Sequence, residues 1–103
     1  MGLLSRLFGL GPKADFNDLI QNQKAQIIDV RTPAEFKSGH VKGSKNIPLN
    51  TLNSGLGKIK KDKPVVLCCA SGMRSGNATR ILKSKGYEAY NGGSWGAVNK
   101  YVQ

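Results

Sequence analysis

The chain has 103 residues, 39% of them hydrophobic, which suits one compact domain and leaves no room for two. Sixteen Lys and Arg against six Asp and Glu give a net charge of +10, a field that attracts anions and makes an acidic protein a candidate partner. No aromatic residues interleave with the lysines of 58–63, so we expect no nucleic-acid binding. No run approaches the ~18 apolar residues that a transmembrane segment needs.

Residues 1–12 are predicted to be an N-terminal amphipathic segment, with the domain itself at 13–103. The apolar residues of this segment recur at helical spacing: Leu3, Leu4, Leu7 and Phe8. We expect them to pack on the domain; a weak membrane or partner contact is the alternative. Arg6 interrupts the apolar run and no small-residue cleavage site follows, which is unlike a secretory signal. A cytoplasmic location is therefore expected.

In the first half of the chain, Phe16, Leu19 and Ile20 have the i, i+3, i+4 spacing of a short helix over residues 15–23. Residues 27–30 form a short apolar run typical of a buried strand. A helix over 33–38 is predicted, with Thr32 as its N-cap and Gly39 ending it. Residues 47–48 are predicted to be an edge strand that its proline ends. Residues 49–59 are ambiguous, because their apolar spacing is helical but two glycines weaken a helix.

In the second half, residues 65–68 are predicted to be a central strand, apolar on both faces. A helix over 75–85, a strand over 88–90, a turn over 91–93 and a last helix over 94–102 follow. Strands that alternate with helices at this spacing predict an α/β fold, a parallel sheet with helices on both faces.

The two cysteines are adjacent, and neighbours on a strand point to opposite faces of the sheet. A disulfide between Cys68 and Cys69 is therefore improbable. Two cysteines without other clustered ligands do not make a metal site, and no cofactor is expected. We assign Cys68 to packing, because it lies deeper in the strand, and Cys69 to the chemistry.

A short glycine-containing loop follows Cys69 and leads into a helix. Its members are Ala70, Ser71, Gly72, Met73 and Arg74. Ligands of parallel α/β sheets bind beyond the carboxyl ends of the strands, where Cys69 is expected to lie. The loop amides, the positive end of the helix and the charge of Arg74 would all favour a thiolate. The loop therefore predicts an activated nucleophile.

At this point the sequence resembles the rhodanese family. The resemblance rests on IDVRTPAEF at 28–36, GHVKGSKNIP at 39–48, CASGMRS at 69–75, GY at 86–87 and GG at 92–93. It implies a five-stranded parallel sheet flanked by helices on both faces. It also implies a sulfurtransferase that moves a sulfane sulfur from thiosulfate or a persulfide to a thiol or cyanide. Cys69 would carry the sulfur as a persulfide, stabilised by the amides of the loop.

Two alternatives remain open. One is an oxyanion hydrolase or reductase, but related phosphatases place one more residue between Cys and Arg, and the shorter loop suits a single sulfur atom better. The other is a non-catalytic binding or regulatory module, which the basic charge favours. Ala70 stands where the family often has Arg or another polar residue. Its presence favours a persulfide over thiosulfate as donor.

Three further residues are predicted to support the site. Asp29 and Arg31 follow the first buried strand and could orient the Cys69 loop, although an Arg31–Glu35 pair is equally reasonable. Trp95 is expected either to line the mouth of the pocket or to pack in the core. His40, the only histidine, is a conceivable base that we expect to serve the fold instead.

Overall fold

A computed structural model describes residues 14–102, and its centre is a four-stranded parallel sheet in the order β2-β1-β3-β4. The strands are β1 Gln26–Asp29, β2 Lys45–Asn46, β3 Val65–Cys69 and β4 Ala89–Ser94. All pairs are parallel, and β3, the central strand, is buried throughout. The predicted α/β fold with a parallel sheet is confirmed. The predicted N-terminal amphipathic segment, residues 1–12, lies outside the described residues.

The strand count differs from the five that the resemblance implies: residues 14–102 contain four. The helix predicted over residues 15–23 is present as a π-helical segment, Asp18–Asn22, so the stretch before β1 adds no strand. The strand β2 lies at one edge of the sheet and has only two residues, which come just before the predicted edge strand at 47–48. Pro48 has no amide hydrogen to donate, so regular pairing stops there.

Helical segments cover both faces of the sheet, as the alternation of elements predicts. One face packs against α2 (Met73–Ser84) and the 3-10 segments Leu49–Thr51 and Asn53–Lys58, which resolves the ambiguity over 49–59. The other face packs against the π-helical segment and α3 (Trp95–Asn99). The apolar side chains of β3 alternate between these two layers.

The helix α1, Pro33–Ser38, begins where the sequence predicts. The Thr32 hydroxyl accepts a hydrogen bond from the Glu35 amide at 3.2 Å, and the Glu35 carboxylate accepts one from the Thr32 amide at 3.0 Å. This reciprocal capping box satisfies two backbone donors that a helix start otherwise leaves unpaired. It also fixes the Glu35 side chain at the carboxyl edge of the sheet.

The turn predicted over residues 91–93 is wrong, because these residues belong to β4. The pairing of β4 with β3 shifts between Leu67 and Cys68: Leu67 faces Asn91, but Cys68 faces Gly93. Gly92 is the extra residue of a β-bulge, and Gly93 takes a φ of 85°. Glycine pairs permit a bulge as well as a turn, and the bulge directs the end of β4 toward the loop after β3.

No helix within residues 14–102 is long and apolar enough to cross a membrane.

Candidate active site

Cys69 is the last residue of β3 and lies at the carboxyl edge of the sheet. Its side chain is fully buried in the core layer that contains Val30, Leu67 and Ala78. Cys68 is also fully buried but belongs to the opposite layer, with Val66 and Val98. Adjacent cysteines thus serve different faces of the sheet, and both are free thiols.

The chain turns back over the Cys69 sulfur immediately after β3. Gly72 adopts a φ of 104°, a left-handed conformation that favours glycine, and its amide donates to Cys69 Sγ at 3.0 Å. Ser75, in the first turn of α2, donates its amide to the same sulfur at 3.3 Å. The backbone donors to Sγ are therefore the amides of Gly72 and Ser75, and of the expected run Ala70 to Arg74 only Gly72 is among them.

The Ser75 side chain also reaches the sulfur, with Oγ 3.3 Å from Cys69 Sγ. Its hydroxyl donates to Asn91 Oδ1 at 2.7 Å. The orientation of the Asn91 amide is fixed, because its nitrogen donates to the Gly72 carbonyl at 3.1 Å and its oxygen accepts from the Gly93 amide at 3.0 Å. A hydroxyl has one proton to donate, so the Cys69 thiol donates to Ser75 Oγ, whereas a thiolate competes with Asn91 for the Ser75 proton.

These contacts set the protonation of Cys69. Burial by itself raises the pKa of the thiol, but hydrogen bonds from the Ser75 hydroxyl and from the backbone amides outweigh it. The net pKa of Cys69 therefore lies below its ordinary value. For Cys68, burial and then the neighbouring Asp29 carboxylate raise the pKa to about 12. Of the two cysteines, Cys69 is the one with thiolate character, which is the reactive form.

Arg74 does not point its terminal nitrogens at the sulfur. Nη1 and Nη2 bind the two carboxylate oxygens of Glu35 at 2.7 and 3.0 Å, a bidentate ion pair that joins α2 to α1. The Arg74 guanidinium lowers the pKa of Glu35 to about 2. The Arg31–Glu35 side-chain pair considered above is therefore wrong: Glu35 pairs with Arg74.

Asp29 and Arg31 form a buried ion pair at the end of β1. Arg31 Nη2 lies 2.7 Å from Asp29 Oδ2, and the same nitrogen donates to the Gly39 carbonyl at 2.6 Å. The guanidinium carbon lies 5.1 Å from the centre of the Trp95 ring. Asp29 pairs with Cys68 in register. The structure thus groups Asp29, Arg31 and Trp95 on the Cys68 side of the sheet, where they brace α1.

His40 has a structural role, and the described residues contain no cluster of metal ligands. The His40 ring stacks on Phe36 with centroids 3.7 Å apart, and its Nδ1 lies 2.7 Å from the Phe36 carbonyl oxygen. Across residues 14–102, no three His, Cys, Asp or Glu side chains come together in a way that could hold a metal ion.

A cavity of about 360 Å³ opens beside the loop at the carboxyl edge of the sheet. It lies between segments that follow three different strands, and its lining is Val30, Thr32, Pro48, Leu49, Asn50 and Arg74. Ligand sites of parallel α/β sheets form at this edge. Arg74, the last residue of the Cys69 loop, lines the cavity, which places the cavity next to that loop.

Comparison with known proteins decides the family. A family model of the Rhodanese-like domain matches residues 13–97. The chain belongs to the rhodanese-like family. The thiosulfate sulfurtransferase GlpE of Shewanella oneidensis is 33% identical over 75 residues, which cover 70% of this chain and 74% of GlpE.

Two further proteins are more similar to this chain in sequence or in coverage. The uncharacterized protein YqhL of Bacillus subtilis is 48% identical over 83 residues, 76% of this chain and 66% of YqhL. The crystal structure of reduced Bacillus anthracis CoADR-RHD superposes with a TM-score of 0.75 and 33% identity, and the match covers 96% of this chain and 18% of that one. The chain thus spans less than two thirds of these two relatives.

Sequence reasoning missed three residues that this site uses: Glu35, Ser75 and Asn91. Ser75 was predicted only as a helix start, although a serine directly after the loop arginine is placed to reach the sulfur. Glu35 is the third helical residue after Thr32, a position from which a glutamate often caps the helix start. Its other partner, Arg74, is 39 residues away in sequence and could not be inferred from local spacing. Asn91 was hidden by the turn prediction.

Proposed function

We propose that this rhodanese-like protein is a sulfurtransferase in which Cys69 accepts a sulfane sulfur as a persulfide and passes it to a thiol or to cyanide. The observation that carries the proposal is the set of donors around Cys69 Sγ, which includes the Gly72 amide at 3.0 Å and the Ser75 amide at 3.3 Å. Such a cradle stabilises negative charge on sulfur without a metal or a cofactor. Relatives named as sulfurtransferases support the same chemistry.

The reaction has two half-steps. The Cys69 thiolate attacks the sulfane sulfur of the donor, a new S–S bond forms, and the remainder of the donor leaves with the electron pair of the broken bond. A thiolate or cyanide then attacks the outer sulfur and releases Cys69. This is a ping-pong scheme with a covalent intermediate.

The donor is thiosulfate or a persulfide. Ala70 supplies no charge or side-chain donor at the start of the loop, and Arg74 is already paired with Glu35. Both features favour a persulfide over the thiosulfate dianion. A thiol must stay reduced to accept the sulfur, so we place this chemistry in a reducing compartment, the cytoplasm.

Intact-mass spectrometry after incubation with thiosulfate or a persulfide donor tests the proposal. The wild type and Cys68→Ser should each gain the mass of one sulfur atom, and Cys69→Ser should gain none. Cyanide should then remove the added mass and yield an equal amount of thiocyanate. Sulfur loading of Cys69→Ser as extensive as that of the wild type would show the proposal to be wrong.

If the protein is instead a non-catalytic binding module, we expect no sulfur to be added to Cys69 by any donor. We then expect the protein to capture an acidic protein, and this binding should weaken with salt and persist in Cys69→Ala.

A further inference from the structure

The loop that cradles Cys69 offers an anionic donor very little free positive charge. Arg74 is the only charged side chain between residues 69 and 75. Both of its terminal nitrogens bind the Glu35 carboxylate, at 2.7 and 3.0 Å, so the pair is neutral as a whole. The capping box at Thr32 holds Glu35 in that position. A small dianion arriving here finds backbone amides but no unpaired cation from the loop.

The cavity beside the loop has largely apolar walls. Val30, Pro48 and Leu49 give it apolar walls, and its volume of about 360 Å³ exceeds what an inorganic anion needs. The Leu49 amide donates to the Val30 carbonyl at 3.1 Å, which ties the wall to the end of β1. The Val30 amide in turn donates to the Cys68 carbonyl at 3.0 Å. The apolar wall is thus rigidly connected to the strand that carries Cys69.

We propose that this cavity binds an uncharged organic group on the part of the donor that leaves after sulfur transfer, so that the protein takes organic sulfane donors in preference to inorganic thiosulfate. The inference rests on the sulfurtransferase function proposed above. Cys69 has no exposed surface in this conformation, so a donor reaches Sγ only when the loop edge shifts. An organic group held in the cavity would keep the sulfane sulfur beside Cys69 while that happens.

Thiosulfonates, R–SO2–S⁻, represent the proposed class and carry one charge fewer than thiosulfate. The Cys69 thiolate attacks the terminal sulfur, and the Cys69–sulfur bond forms as the bond to the sulfonyl sulfur breaks. The electron pair leaves with the sulfinate R–SO2⁻, and the protein keeps a persulfide. Charge and electrons balance without an added oxidant or reductant.

The test compares initial rates of Cys69 loading from thiosulfate, methanethiosulfonate and benzenethiosulfonate by rapid-quench intact mass. Each rate is divided by the rate of the same donor with free N-acetylcysteine, which removes differences in intrinsic reactivity. We expect the wild type to prefer the benzene over the methane compound by about tenfold, the discrimination that a modest apolar pocket supplies. Thiosulfate should be the slowest of the three.

Leu49→Asn should abolish most of the preference for the benzene compound, because it makes the cavity wall polar. The matched control is Leu56→Asn, since Leu56 is also partly buried against the same core layer but does not line the cavity. If Leu49→Asn does not fold, Leu49→Ala tests the same wall with a milder change. A preference that is absent in the wild type, or unchanged in the folded Leu49 variant, overturns the inference.

Glu35→Gln tests the charge argument separately. Glutamine preserves the capping box but removes the negative charge that occupies Arg74. We expect loading from thiosulfate to rise relative to benzenethiosulfonate by about tenfold, the usual worth of one freed charge contact. No change in this ratio contradicts the inference. If no donor loads Cys69 at all, the proposed sulfurtransferase function has failed instead.

Discussion

Two neighbouring cysteines have opposite chemical characters in this chain. The side chain of Cys68 points into the layer with Val66 and Val98, where burial raises its pKa to about 12. The side chain of Cys69 points into the other layer, where hydrogen bonds outweigh the cost of burial and lower its pKa. A single step along a β-strand changes the face of the sheet, and here it separates a packing residue, Cys68, from the proposed nucleophile, Cys69.

We predict that alkylation near neutral pH is confined to Cys69. The Cys68→Ser variant should react with iodoacetamide with a pH midpoint below that of a free cysteine, because its remaining thiol has a lowered pKa. The Cys69→Ser variant should remain unmodified while folded, because a pKa of about 12 leaves Cys68 protonated. Rate against pH, followed by mass spectrometry, measures both; faster alkylation of Cys68 contradicts the assignment.

The Ser75 hydroxyl should contribute measurably to the thiolate. Ser75→Ala removes the side-chain contact at 3.3 Å while the Ser75 amide remains in place. We expect the pKa of Cys69 to rise, because the Ser75 hydroxyl is the largest of the contacts that lower it. Ser84→Ala on the same helix is the control, since its hydroxyl bonds only to the Ile81 carbonyl. Equal alkylation midpoints in both variants would rule out a role for the Ser75 hydroxyl.

At the scale of elements, the end of β4 holds the active loop in place. The bulge at Gly92 changes the register so that Cys68 faces Gly93, and Gly93 then lies against the loop at Gly72. From β4, Asn91 bonds to the Gly72 carbonyl and to the Ser75 hydroxyl. The loop after β3 is thus anchored on its neighbouring strand, as well as on its own helix.

Gly92→Ala should destabilise the protein. A Cβ atom at Gly92 would lie 2.5 Å from Val98 Cγ2, 2.9 Å from Val66 Cγ1 and 3.0 Å from the Leu67 carbonyl oxygen. We expect a loss of about 1–3 kcal/mol in the free energy of unfolding, the usual cost of overpacking. Gly96→Ala is the control, because nothing lies within 4 Å of its Cβ. Urea unfolding of both variants measures the difference; equal midpoints would contradict the bulge packing.

At the scale of the whole molecule, one ion pair connects the segments that follow the two middle strands of the sheet. Glu35 on α1 and Arg74 on α2 are 39 residues apart in sequence and hold the segments after β1 and β3 together. The chain as a whole carries a net charge of +10. That field attracts anions at long range, and an acidic protein partner remains a prediction from it.

Acid should weaken this connection in a defined pH range. The Glu35 pKa is lowered from 4.5 to about 2, so its contribution to stability is fully present above pH 4.5 and is lost as the pH falls toward 2. In Glu35→Gln the stability should therefore fall less steeply across this range than in the wild type. Urea midpoints at successive pH values measure the slopes, with Glu88→Gln as a control carboxylate. Identical slopes in the wild type and Glu35→Gln contradict the role of the pair.

The sequence predicted features that depend on local spacing. The Thr32 N-cap of α1, the central strand β3 and the placement of Cys68 and Cys69 on opposite faces follow from residues within a few positions of one another. The same holds for the loop after Cys69, because its glycine and the following helix are contiguous in the chain.

Features that depend on distant partners were not predictable in this way. The Asn91-Gly92-Gly93 sequence is compatible with a turn or a bulge, and only pairing with β3 decides for the bulge. Arg74 has its carboxylate partner on another helix, and Arg31 meets Trp95 only when the sheet has formed. In each case the missing information is tertiary contact.

The central claim is that Cys69 Sγ, and no other atom of the chain, carries the transferred sulfur. The most direct test is to load the wild type with a sulfane donor, cap the persulfide with an alkylating agent, and fragment the peptide that contains both Cys68 and Cys69 in the mass spectrometer. Fragment ions that separate the two residues should place the extra sulfur on Cys69 alone. Extra sulfur on Cys68, or on neither cysteine, would contradict the account.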